Sequence, residues 1–385
     1  MNQRSLFARR MILALGVILF AACTPAAPAA TPIPPTPLPP TAIPVPPTAV
    51  PAPPTAVPAQ GANLNPSPRS SLFVAYDSKR DLVLLYGGSN VDPCWKDCGL
   101  PLSDTWIYDV AANTWTQIKP SSDPGPRANA AMAYDAESDR IILFAGFISA
   151  DNYAPLDTWS FDMNTKTWTK MKAIGPAYHF GHKLVYDSKA DRMILWGGWN
   201  MEDNAGINDT WTYDYNTDTW TEMKPAVKPP GVNFQGMVYD SKADRVIMWG
   251  GGFNTSVWIY DYNTDNWEER GPSGGPSSRW GHFMSYDSKA DRTILYGGYT
   301  GDPNANFDFS FNSLETWSYD YNLNTWTLLK PEKNPGLLTF FGQDYLSSTD
   351  RLLVFGGLKG YKIITDQTWL YDYNANTWTE VTPKP

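Results

Sequence analysis

The stretch Lys183-Leu184-Val185-Tyr186-Asp187-Ser188-Lys189-Ala190-Asp191-Arg192-Met193-Ile194-Leu195-Trp196-Gly197-Gly198 decides how this 385-residue chain is read. Its two ends are strand signals and its middle is a turn. Arg192–Trp196 is a continuous apolar run bounded by turn residues, the pattern of a strand buried on both faces. Asp187–Asp191 holds the short polar residues that close their own backbone into turns. Downstream, Thr210-Trp211-Thr212-Tyr213 alternates as a half-buried strand does. A second turn, Asp214–Asp218, leads into Thr219-Trp220-Thr221-Glu222-Met223. The unit therefore predicts four short antiparallel strands and no helix.

The same unit occurs six times. Tyrosines 76, 134, 186, 239, 286 and 345 each stand eleven residues before a Gly-Gly-like step, at Gly87, Ala145, Gly197, Gly250, Gly297 and Gly356. Six tryptophan pairs follow, each nine apart: Trp106/Trp115, Trp159/Trp168, Trp211/Trp220, Trp258/Trp267, Trp317/Trp326 and Trp369/Trp378. A repeat at a pitch of 47 to 59 residues denotes an array of one supersecondary unit. Six four-stranded antiparallel units with no helical periodicity predict an all-β, six-bladed β-propeller, in which radial packing buries both faces of each blade.

The order of tyrosine-aspartate turn, apolar strand, Gly-Gly, variable loop, Trp-x-Tyr-Asp, turn and Trp resembles the Kelch repeat, over roughly residues 69–381. Departures are few: Ala145 replaces the first glycine in blade 2, Val257 a threonine in blade 4, and Leu346 the turn aspartate in blade 6. The blades are expected at about 69–118, 127–171, 179–223, 232–270, 279–329 and 338–381. The first unit starts at its innermost strand and the last ends at its outermost. The ring is therefore expected to close by blade packing, without a strand exchanged between the termini.

The residues before residue 69 read differently. Residues 1–22 carry Arg4, Arg9 and Arg10 ahead of the twelve-residue apolar run Met11–Ala22, the form of a signal peptide. Leu19-Phe20-Ala21-Ala22-Cys23 resembles a bacterial lipoprotein signal, which implies lipidation of Cys23 and a location outside the cytoplasm on a bacterial membrane. Residues 23–68 form a Pro/Thr/Ala-rich, disordered tether with a seven-residue period, in which proline's fixed φ and missing donor favour an extended chain. Loss of the signal would move the formal charge from −9 to −12, which argues against a nucleic-acid partner. With Cys23 acylated, Cys94 and Cys98 form an even local pair, and in an oxidising compartment they read as a disulfide.

Spacing locates the variable surface. From the second glycine of each step to the first tryptophan the separations are 18, 13, 13, 7, 19 and 12 residues, whereas the other spacings hold to within one residue. These second-to-third-strand loops share one face with the blade-to-blade connections. Trp95, Phe147, Tyr153, Trp199, Phe253, Tyr299 and Tyr361 form a candidate binding rim there, mixed with Asp and Asn; aromatic faces suit sugar rings and protein hot spots alike. Arg69, Arg127, His179 and Arg279, seven residues before their tyrosines, with Trp280 beside the last, form a candidate channel mouth able to hold a carboxylate. His182 and His282 read as structural. Asp214-x-Asn216-x-Asp218 reads as a turn, because no bidentate glutamate follows it as in a calcium loop.

No hydrolase elbow, P-loop or zinc signature is present, so no catalytic residue, metal or cofactor is expected. The leading expectation is a non-enzymatic, lipid-anchored extracytoplasmic module that recognises a protein or glycan with its variable face. A carbohydrate-acting enzyme is the alternative, because galactose oxidase and N-acetylneuraminate epimerase are similar propellers. The oxidase resemblance lacks a free cysteine for the copper site, and the epimerase reading leans on the arginine ring. A structural envelope spacer is the third reading.

Overall fold

The structure, a computed structural model, describes residues 65–90, 101–149, 152–153, 156–177, 180–200, 205–252, 255–301, 313–359 and 363–384. The expectations for the signal segment, Cys23 and most of the tether, and for the Cys94/Cys98 pair, lie outside these residues. The folded unit contains six four-stranded antiparallel sheets, each running from an inner to an outer strand in sequence order. The inner strands are Phe73–Asp77, Ala131–Asp135, Lys183–Asp187, Gly236–Asp240, Phe283–Asp287 and Gly342–Leu346. They neighbour one another in a closed cycle, the first touching the last.

Each second strand is the apolar run read from the sequence. Val83–Tyr86, Ile194–Trp196 and Leu352–Phe355 are essentially inaccessible because blades press on both their faces. Clusters of apolar side chains accordingly straddle the seams. Leu84 and Tyr86 of blade 1 pack with Ile141, Leu143 and Trp168 of blade 2, and Ile194 and Trp196 of blade 3 pack with Val246, Met248 and Trp267 of blade 4.

The second tryptophan of five of the six pairs also staples its blade to the preceding one. Trp168, Trp220, Trp267 and Trp378 donate their indole N–H to Thr105, Thr158, Thr210 and Thr316 Oγ1 at 3.1, 2.9, 2.9 and 3.2 Å. Trp115 reaches Thr368 of blade 6 at 3.5 Å, across the join between the ends of the ring. Trp326 faces the position where Val257 replaces threonine, and its buried Nε1 has no partner.

A belt of backbone hydrogen bonds circles the axis. Five residues before each repeat tyrosine, the N–H of Ser71, Asn129, Gly181, Phe234, Gly281 and Phe340 donates to the carbonyl of the equivalent residue one blade back, at 2.7 to 3.1 Å. Ser71 donates to Phe340, so the belt is closed. All six residues have φ between 52° and 66°. That conformation costs a non-glycine residue roughly 1–2 kcal/mol, and here it is held by two belt bonds per residue.

Among the described residues no strand crosses between the termini: blades 1 and 6 each draw all four strands from one continuous segment. The join uses the belt and Trp–Thr bonds found at other seams and adds contacts of its own. Asp344 accepts from the Tyr76 N–H at 2.8 Å, and Asn65 Nδ2 donates to the Pro383 carbonyl at 2.7 Å.

Candidate functional site

The two faces of the ring are built differently. On the turn face, the hydroxyl of every repeat tyrosine donates to the aspartate five residues later, from Tyr76–Asp81 at 2.9 Å to Tyr345–Asp350 at 2.8 Å. The third-strand tyrosines repeat the device, as in Tyr213–Asp218 at 2.9 Å and Tyr371–Asn376 at 2.8 Å. In blade 2 both partners change together, to Phe161 and Lys166. Asp214 accepts from the Asn216 and Thr217 N–H groups at 2.9 and 3.3 Å, so its carboxylate is engaged in its own turn.

On the opposite face the Gly-Gly steps set the geometry. The second glycine donates to the carbonyl of the residue seven before the next blade's tyrosine: Gly88 to Arg127, Gly198 to Val232, Gly251 to Arg279, Gly298 to Leu338, and Gly357 back to Arg69, at 2.8 to 3.0 Å. The chain passes so close to its neighbour that a Cβ on Gly297 would sit 2.5 Å from the Leu338 carbonyl oxygen, at φ +68°. The residue after the step then pairs back onto its own blade, as in the Ala128/Phe147 and Trp280/Tyr299 bridges.

This pairing decides where the expected rim aromatics go. Tyr299 is 1% exposed and sits edge-on to Trp280 with centroids 5.2 Å apart, so it is a buried packing residue and not a rim contact. Trp280 is 5% exposed and belongs to the same cluster, with Phe180, Phe234 and Phe340. Phe234 of blade 4 meets Phe340 of blade 6 at 5.1 Å, which places the cluster as a plug across the axis. Phe147 and Trp199 are half-buried against it. Tyr153 lies in the short strand Asn152–Tyr153. Trp95, Phe253, Tyr361 and His179 are outside the described residues.

The arginines do not converge on the channel. Arg69 is fully buried and grips both Asp104 carboxylate oxygens at 2.6 and 2.8 Å, and it also donates to the Gly87 carbonyl at 3.1 Å. Arg127 pairs with Asp157 at 3.1 Å and Arg279 with Glu315 at 2.6 Å, each again capping the carbonyl of the Gly-Gly step. Burial by itself would raise the Asp104 carboxyl, but Arg69 outweighs it and holds the group below the usual carboxylate range. The same acids receive the first tryptophan of the pair: Trp106 Nε1 to Asp104 at 2.6 Å, Trp159 to Asp157 at 2.9 Å and Trp317 to Glu315 at 3.0 Å.

The expected carboxylate-binding ring is thus replaced by separate Arg–acid–Trp clamps, one inside each of blades 1, 2 and 5. The sequence holds the signal for this in paired absences: where Val232 and Leu338 replace arginine, Ser256 and Gln367 replace the acid. His182 and His282 are buried; His282 packs edge-on against Trp249 with centroids 5.2 Å apart, and burial holds its imidazole neutral.

The inner strands enclose a central cavity of about 390 Å³. All six repeat tyrosines line it, with Met132, Met237, Met284, Phe283, Lys183 and Asp344. Exposure increases from the aromatic plug toward Ser78, Ala136 and Ser347 beside the turns, so the cavity opens through the tyrosine collar on the turn face.

Fold and site together define a closed propeller scaffold with one welded face, one face of unequal loops, and a channel plugged at the loop end. The family whose profile is described as the KLHDC2/KLHL20/DRC7 Kelch-repeats domain matches residues 181–385, and the Attractin/LZTR1 β-propeller matches residues 83–251. The chain belongs to the Kelch-repeat β-propeller family. Mei4-dependent protein 6 of Schizosaccharomyces pombe is 27% identical over 169 residues, covering 41% of this chain and 23% of that protein. Kelch domain-containing protein 3 of Bos taurus is 30% identical over 122 residues, covering 28% of this chain and 30% of that protein. The matched chain spans less than a third of the length of each of these two relatives. The solved structure of YjhT superposes with a TM-score of 0.64 over 82% of this chain and 98% of that one, at 17% identity, a likeness of fold alone.

Proposed function

We propose that the protein is a lipid-anchored, extracytoplasmic binding module that recognises a protein or glycan with the loop face of its propeller. The Kelch fold suggests an interaction module, and one observation carries the choice of face. The turns are cross-bonded in nearly the same way in all six blades, whereas the second-to-third-strand separation ranges from 7 to 19 residues. Loops that vary on a rigid scaffold are where binding residues concentrate. The N-terminal signal, Cys23 and the proline-rich tether in the sequence support attachment to a membrane through an extended spacer.

The epimerase-type reading rested on free arginines and loses that support, because Arg69, Arg127 and Arg279 are each buried in an ion pair. The test replaces residues 302–312 with a Gly-Ser pair, which leaves buried Tyr299 and the Arg279–Glu315 pair in place, and compares the two proteins on a glycan array and in cross-linking of intact cells. Loss of captured glycan or protein with an unchanged melting temperature supports the reading, and the arm that responds names the ligand class. Undiminished capture after shortening this loop and the loops of blades 1 and 6 refutes it. A Cys23→Ala variant recovered in the soluble fraction tests the anchor.

A further inference from the structure

The loop face is not the only place where this chain departs from its own repeat. Three residues before each tyrosine the inner strands carry Phe73, Ala131, Lys183, Gly236, Phe283 and Gly342. Five are apolar or small and one is cationic. Lys183 is the one lysine or arginine on the wall of the 390 Å³ cavity. Among the described residues no carboxylate lies within ion-pair distance of it. Its ammonium group instead rests on the face of Phe283, 3.7 Å from the ring centroid.

Lys183 is half-buried, and an ammonium on the wall of a largely apolar cavity with no carboxylate beside it is costly unless something compensates it. The other charges near the channel do not. Asp344, on the wall of blade 6, has both carboxylate oxygens engaged by backbone N–H groups, those of Tyr76 and Tyr345, each at 2.8 Å. Arg279 is committed to Glu315, and buried His282 is neutral.

We propose that the central channel is a second binding site, for a small organic monocarboxylate with an apolar body, whose charge is taken by Lys183. The volume falls in the range of small-molecule pockets, roughly 300–1,000 Å³. The walls supply methionine and aromatic contacts, and the methionine side chains of Met132, Met237 and Met284 adapt to irregular shapes. One cation in an apolar cavity selects a single negative charge; a dianion would leave its second charge desolvated and unpaired. The plug of Phe234, Trp280 and Phe340 closes the loop end, so the ligand enters through the tyrosine collar, on the face opposite the variable loops. Burial pushes Lys183 down to about 7, and a bound carboxylate would restore its proton.

The experiment titrates the full chain calorimetrically with phenylacetate, hexanoate, phenylacetamide and inorganic phosphate, for the native protein and for Lys183→Met, with Lys189→Met as a control on the turn face. Saturable binding of at least one carboxylate, absent for the amide and for phosphate, is expected. Lys183→Met should weaken it tenfold or more, and Lys189→Met should change it less than twofold. Affinity should fall about tenfold per pH unit above pH 7, as Lys183 loses its proton. A second measurement uses carbon-13 reductive methylation of the native chain, with the Lys183 resonance assigned by its absence in Lys183→Arg. Saturating phenylacetate should raise its titration midpoint, whether or not Lys183→Met folds. Equal affinity in Lys183→Met, or a Lys183 midpoint unmoved by both carboxylates, overturns the proposal.

Discussion

Val257→Thr should stabilise this protein, against the general rule that a substitution in a packed core does harm. Five of the six second tryptophans donate to a threonine one blade back, and the sixth, Trp326, meets Val257 instead. Trp326 is 8% exposed and Val257 fully buried, so no water relieves the indole N–H. An unsatisfied buried donor costs roughly 1–3 kcal/mol, and a hydrogen bond made in its place is worth about 1 kcal/mol net. The exchange removes one buried methyl group, a loss of under ~1 kcal/mol. Threonine and valine have the same shape and the same preference for strands. The balance is a gain of about 1 kcal/mol, roughly a fivefold shift toward the folded state.

Urea unfolding followed by tryptophan fluorescence resolves a difference of that size, with Thr210→Val as the reciprocal test. Thr210→Val orphans Trp267 Nε1 and should cost about 1–3 kcal/mol. The exchange of the Trp326 indole proton should slow in Val257→Thr. If Val257→Thr and Thr210→Val destabilise by similar amounts, the stapling role assigned to these threonines is wrong.

Three further outcomes follow from the same geometry. Arg127→Leu should cost about 1–3 kcal/mol, because it removes the buried partner of Asp157 while Lys170, at 3.2 Å, still neutralises the carboxylate; Arg127→Leu with Asp157→Gln, the pairing found in blade 6, should recover much of that loss in a double-mutant cycle. Gly297→Ala should destabilise by about 2 kcal/mol or more in a thermal melt, since the new Cβ meets a carbonyl oxygen at 2.5 Å, while Gly274→Ala, with φ +75° but open space around it, should cost only about 1 kcal/mol. Burial pushes the Asp344 carboxyl up to about 6. Because the folded value lies above the unfolded value of about 3.9, the stability it contributes is complete below pH 4 and is lost as pH rises through 6, a change of about 3 kcal/mol. Denaturant titrations at pH 4.5 and 7.5 should show that slope in the native chain and not in Asp344→Asn.

The propeller was legible because its determinants are periodic. The eleven-residue and nine-residue spacings repeat the residues that reach the seams, whereas what the departure at Val257 does, leaving Trp326 Nε1 without a threonine, is visible only in the structure. The site was harder to read because burial is not a periodic property. Tyr299 and Trp280 look like exposed aromatics in the sequence, yet the bridge between them turns both into the axial plug. Arg69 and Asp104 are 35 residues apart, and only their joint absence in blades 4 and 6 marks them as partners. Lys183 was invisible as a functional residue because it opens a strand as many lysines do. Only the enclosure of six inner strands converts it from a surface charge into an unpaired one.

The closed belt of hydrogen bonds has a consequence for where this chain can begin. Each link joins equivalent atoms of adjacent blades, so the ring contains no link that must be made first or last. The break between blades 6 and 1 is topologically interchangeable with the five other connections. Asn65 already touches Pro383, so a short peptide could join the ends. Circular permutants opened before Ser277 or Gly231 should then assemble the same ring.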